Sequence, residues 1–180
     1  MRPFLALALL LCLPAPGRTQ GGAFRVQSEA CVTLSLAQEA EEAIDRAQRW
    51  LAAHPPANDR ATALLQRYAQ SGADHPFRIA RCDLTPLEQA MPPALPESAW
   101  ADLAATLQSD APRTLFALQR DLPLADATPP SDWRETLVRT LVNTQKVDAD
   151  GGHWQTREDT VWAVLTLRAL LNASPPIDLL

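Results

Sequence analysis

A short threonine-led motif occurs three times in the chain. Its copies are Thr62-Ala63-Leu64-Leu65, Thr114-Leu115-Phe116-Ala117-Leu118 and Thr160-Val161-Trp162-Ala163-Val164-Leu165, with threonines 52 and 46 residues apart. Recurrence on this scale marks a chain built from one supersecondary unit, repeated because a single copy cannot bury its apolar face alone. Each motif opens a predicted helix, and each follows a helical segment carrying a tryptophan: Trp50, Trp100 or Trp133. The unit is therefore a helical hairpin. Residue usage supports helices throughout, since 31 Ala and 28 Leu stand against 10 Val and Ile together. Ala and Leu favour helix, whereas β-branched residues fill strands. With 6 Gly and 16 Pro in 180 residues, a β-sandwich, a Gly-rich nucleotide fold and a coiled coil are poor fits. The length suits one domain.

The first hairpin is the most explicit. Leu36, Ala40, Ala43, Ile44, Ala47 and Leu51 recur at steps of three and four, which predicts one buried helix face. Ser35 with Gln38 fits a capping box at its start, and His54-Pro55-Pro56 stops it. Asn58 is placed to cap the second helix and Gly72 to end it. A proline-rich linker over 74–98 is expected to be extended, apart from one short helix capped by Thr85-Pro86-Leu87-Glu88. The second hairpin is expected from Ser98 to Arg120, broken at Asp110-Ala111-Pro112. The third is expected over 131–143 and 159–171. Its last helix is apolar nearly all round but too short to span a bilayer, which needs about 20 residues. It reads as an inner helix surrounded by others, in an all-α fold with no sheet.

Residues 1–17 read as a signal peptide: Arg2, an apolar run from Phe4 to Leu13, then Pro14-Ala15-Pro16-Gly17 before the expected cleavage. The remaining divisions are an N-terminal extension over 18–33, a helical repeat domain over 34–174 and a tail over 175–180. An exported chain left with two cysteines, Cys31 and Cys82, suggests a disulfide closing a loop of about 50 residues. Such a bond would contribute roughly 3–4 kcal/mol; two buried thiols are the alternative. The expected location is periplasmic or secreted, with no transmembrane span in the mature chain. A net charge of −5 argues against nucleic acid as a partner.

The third hairpin carries a resemblance. Gln145, Gly151, Gly152 and Trp154, followed by Asp159-Thr160-Val161-Trp162-Ala163-Val164-Leu165, resemble one repeat of the squalene cyclases and protein prenyltransferase β-subunits. Ala43 to Leu51 resembles the front helix of another, with His54 standing where Gln would be. The resemblance implies an α/α toroid. Three hairpins would make a partial ring, which a second copy of the chain could close. In the loop itself, glycines permit positive φ where the chain reverses, Gln bonds backbone, and Trp covers the turn. The loop is expected to clamp helices rather than perform chemistry.

The chemistry of that family is poorly represented. Asp148-Ala149-Asp150-Gly151 lacks the last acid of the cyclases' Asp-x-Asp-Asp motif. A zinc set would have to combine Cys31 or Cys82 with Asp83 and His54, His75 or His153, without the usual spacing. Asp148, Asp150 and Asp159 are spaced as in an EF-hand, but Gly152 and His153 occupy positions that need a ligand and a glycine. No cofactor or metal is expected. The resulting expectation is an exported, non-catalytic module that binds a protein or an apolar ligand. An isoprenoid-type enzyme or accessory subunit and a purely structural envelope protein are the alternatives.

Overall fold

A computed structural model describes residues 32–56, 59–72, 77–125, 128–171 and 177–179. The expected signal peptide over 1–17, Cys31, Asn58 and His75 lie outside them. Among the described residues eight α-helices carry the fold: α1 Leu34–Ala53, α2 Arg60–Gln70, α3 Leu84–Ala90, α4 Glu97–Ala101, α5 Leu103–Leu107, α6 Pro112–Asp121, α7 Trp133–Thr144 and α8 Arg157–Leu170. The fold is all-α, as expected.

The helices form two layers. In one, α7 packs against both α1 and α5; in the other, α8 packs against both α2 and α6. Within each hairpin the layers meet as α1 on α2, α5 on α6 and α7 on α8, and α1 also reaches α8. The third hairpin therefore lies between the second and the first, so chain order is not spatial order.

That placement follows from burial demand. Ten of the 14 residues of α8 are buried, including Val161 to Leu165 without a gap. A helix with no solvent face needs neighbours on all sides. Its α1 neighbour presents Leu36, Ala40, Ala43, Ile44, Ala47 and Leu51, the stripe read from the sequence, and all six are buried. Three of them are alanines, which let backbones approach closely. Among the described residues no helix is long and apolar enough to cross a membrane.

Several local expectations are corrected. The N-cap of α1 is Thr33 rather than Ser35, and Gln38 donates instead to Glu42 one turn on. Asp59 caps α2, its carboxylate accepting from the Thr62 amide at 2.8 Å. Helix α2 ends at Gln70 with Ser71 in extended conformation, so Gly72 is not the left-handed stop. Thr85 lies inside α3, which starts at Leu84. The first arm of the second hairpin is split at Asp102, which leaves helical geometry and uses its carboxylate to cap α5 through the Ala105 amide.

The expectation of no sheet also fails, since the described residues include two three-residue ladders. Strand β1 Phe77–Ile79 pairs in parallel with β4 Ile177–Leu179, so part of the expected C-terminal tail is a strand. Strand β2 Lys146–Asp148 pairs antiparallel with β3 Gly151–His153. Short extended segments between helices satisfy their backbone groups by pairing.

Because α8 is the shared core, Leu167→Ala should cost roughly 2–5 kcal/mol, whereas Leu124→Ala, at an 85% exposed position, should stay within about 0.5 kcal/mol. Urea denaturation of both variants checks this; equal effects would contradict it.

Candidate functional site

Two places gather side chains in ways that bear on function: the β2–β3 turn and a cleft on the other side of α8.

The turn begins with its own local chemistry. Asp148 accepts from the amides of Asp150 at 2.9 Å and Gly151 at 3.1 Å, a side-chain-closed turn that commits its carboxylate. Gly151 has φ +139°, where only glycine is at ease, whereas Gly152 does not need positive φ. Both glycines face α1. A Cβ at Gly151 would meet the Arg46 carbonyl oxygen and stand 2.9 Å from the Trp50 nitrogen. A Cβ at Gly152 would stand 2.5 Å from Gln145 Nε2. The hairpin is therefore laid directly on the α1 backbone.

Gln145 fastens the same contact from α7. Its Nε2 donates to the Ala43 carbonyl at 2.9 Å, and its Oε1 accepts from Arg46 Nε at 2.9 Å. Trp154 is 1% exposed, and its indole donates toward the Leu141 carbonyl and the Thr144 hydroxyl, both at 3.2 Å. Its amide donates to the Thr160 hydroxyl at 3.1 Å, which joins the turn to the third threonine motif. Gln145, Gly151, Gly152 and Trp154 thus hold α7 and α8 to α1.

The histidines cluster here without forming a metal centre. Trp50 stacks with both His54 and His153, at ring-centroid distances of 4.0 and 4.9 Å. His54 Nε2 lies 3.9 Å from Asp150, and His153 Nε2 lies 3.3 Å from Asp148. Among the described residues no three His, Cys, Asp or Glu side chains come together as metal ligands. Asp159, the third acid of the EF-hand-like spacing, accepts from the Thr156 hydroxyl at the start of α8.

The structure gives Cys82 as a free, exposed thiol on the 3-10 turn Arg81–Asp83, and its expected partner Cys31 lies outside the described residues. Arg60 Nη2 is 3.5 Å from the Cys82 sulfur, and the Arg60 guanidinium pairs with the buried Asp83. This ties α2 to the start of α3. The Asp83 hydrogen bond and charge raise the Arg60 pKa.

The cleft lies on the opposite side of α8. It has a volume of about 510 Å³ and opens between α2, α3, α6 and α8. Its walls are chiefly Leu65 and Tyr68 of α2, Leu87 of α3, Phe116 of α6, and Trp162 and Leu165 of α8. Phe116 and Trp162 meet at 4.7 Å between ring centroids, tilted by 50°. The rim carries Gln119 and Arg120. Arg120 is already engaged: it pairs with Asp121 and donates to the Pro92 carbonyl at 2.8 Å, pinning α6 to the proline linker. That pairing holds the Asp121 carboxyl below its ordinary value and raises the Arg120 guanidinium.

Sequence reading singled out the turn and missed the cleft. The apolar residues of the cleft come from separate elements, α2, β1, α3, α6 and α8, and each reads locally as an ordinary core position. Comparison with family models, with curated proteins and with solved structures returns no match.

Two outcomes follow. Gly151→Ala should destabilise the fold by roughly 1–3 kcal/mol through overpacking. Gly72→Ala, where nothing lies within 4 Å, should leave thermal stability unchanged or slightly raised. The second concerns pH. A carboxyl with a depressed folded pKa contributes stability above its unfolded value, near 3.8 for Asp121, and loses it as pH falls through the lower folded value. Denaturation midpoints of the wild type and Asp121→Asn should differ near neutral pH, and the difference should shrink as the pH falls below 3.8 and through the lower folded value.

Proposed function

We propose that this chain is a non-catalytic, exported binding module that takes an apolar small molecule into the cleft between α2, α3, α6 and α8. The single observation that carries this reading is the cleft itself. A space of about 510 Å³ walled by leucines, tyrosine, phenylalanine and tryptophan falls within the roughly 300–1,000 Å³ of small-molecule pockets. Burying apolar ligand surface there is favourable at about 25 cal/mol per Å² before the costs of ordering the ligand.

Binding rather than turnover fits the placement of the acids. Asp148 and Asp150 belong to the β2–β3 turn on α1, and Asp148 is occupied by backbone amides. The described walls of the 510 Å³ apolar space carry no carboxylate, and the carboxylates beside it, Asp59 and Glu158, border a smaller space, Asp59 as the cap of α2 and Glu158 exposed; cation-forming chemistry needs an acid held in the dry apolar space itself. The likeness of the turn to squalene cyclase and prenyltransferase β-subunit repeats supports a shared scaffold and no shared reaction. Export rests on the apolar run before Pro14. A Cys31–Cys82 bond in the exported chain belongs to that part of the proposal, and intact mass before and after reduction tests it.

Titration of the purified chain with an environment-sensitive apolar dye tests the binding reading. The dye should bind with one site per chain. Ala169→Trp, which fills the cleft from α8, should weaken binding at least about tenfold, equivalent to 1.4 kcal/mol. Its melting temperature should stay close to that of the wild type. Unchanged dye affinity in a folded Ala169→Trp variant would overturn the reading, as would absence of binding by the wild type.

A further inference from the structure

A polar space adjoins the cleft, and the charges bordering it are of both signs. Beside the 510 Å³ apolar space lies a smaller one of about 210 Å³, and the two share Leu65 and Trp162 as walls. The smaller space is bordered by Asp59, Arg113 and Glu158. These residues stand at the N-terminal ends of α2, α6 and α8 respectively.

Their commitments differ. Asp59 is the cap of α2, and hydrogen bonds from the Thr62 side chain and amide hold its carboxyl below the ordinary range. The Arg113 and Glu158 side chains are exposed and make no hydrogen bond or ion pair among the described residues. Arg120, the charge bordering the apolar space, is neutralised by Asp121 and bonded to the linker carbonyls. Among the described lining residues the uncommitted charges are therefore the Arg113 guanidinium and the Glu158 carboxylate, both on the side away from Arg120.

Resting on the reading of the cleft as a binding site, we infer that its ligand is a single-chain amphiphile with a zwitterionic head. The tail lies against Leu65, Phe116 and Trp162. The anionic group of the head pairs with Arg113, and its cationic group faces Glu158. A purely anionic head would meet the carboxylates of Glu158 and Asp59. A purely cationic head would meet Arg113 and the positive ends of three helices. A head carrying both charges is opposed by neither.

Calorimetric titration of the purified chain with dodecylphosphocholine, dodecanoate and dodecyltrimethylammonium, each below its micelle concentration, tests this with one tail and three heads. Dodecylphosphocholine should bind tightest. Arg113→Gln and Glu158→Gln should each weaken it about threefold to fivefold, the range of an exposed ion pair. Glu158→Gln should at the same time improve dodecanoate, and Arg113→Gln should improve dodecyltrimethylammonium. Equal affinity for all three heads, blocked by Ala169→Trp but indifferent to Arg113 and Glu158, would overturn the head-group inference and leave the apolar cleft standing. Tightest binding of either singly charged probe would also overturn it. Absence of binding by all three, or binding untouched by Ala169→Trp, would overturn the cleft reading itself.

Discussion

The burial of α8 on all sides is the constraint from which the rest of the structure follows. Val161 to Leu165 offers no solvent face, so α1, α2, α6 and α7 must all find room around one helix. The polar groups on α8 are accommodated within that demand. Thr166 returns its hydroxyl to the Trp162 carbonyl, and Thr160 bonds the Thr156 carbonyl while accepting from the Trp154 amide. Arg168, 5% exposed, donates to the Tyr68 carbonyl at the end of α2, and burial pushes its pKa down. A guanidinium in that setting is tolerated because it meets a helix C-terminus, where the carbonyls lack helical partners and the dipole is negative.

The two sides of α8 are finished differently. Toward α1 the closure is tight: alanines at 40, 43 and 47, two glycines with no room for a Cβ, and a glutamine that bonds both α1 backbone and Arg46. Toward α3 the helix that completes the wall is only seven residues long and has no buried residue of its own. Large side chains, Phe116 and Trp162 among them, are packed there around an unfilled space. The rigid side positions α8, and the loosely finished side leaves the volume in which a ligand can be held.

How much of this was legible in the sequence depended on whether the signal was periodic. The α1 stripe and the all-round apolarity of α8 are helical-period signals, and both elements stand where the periodicity put them. Cap identity differs from the sequence reading where capping residues lie within two positions of each other: Asp59 rather than Asn58, and Thr33 rather than Ser35. In each case the choice is decided by where the chain turns, which sequence alone does not fix. The β2–β3 ladder was read as an irregular polar loop because three-residue strands are too short to show alternation. The glycines were noticed, but their reason differs in part: Gly151 needs its positive φ, and both are required by close approach to α1. The cleft was invisible because Leu65, Leu87, Phe116 and Trp162 are far apart in the chain, and each is an ordinary apolar residue where it stands.

Native-state hydrogen exchange tests the central claim most directly, since amides of an element enclosed by all its neighbours exchange only through global unfolding. The amides of Val161 to Leu170 should be the slowest in the chain, with opening free energies equal to that of global unfolding. Those of the short, exposed α4 should exchange far faster. Exchange of α8 through local opening, at rates matching α4, would contradict its place at the centre of the fold.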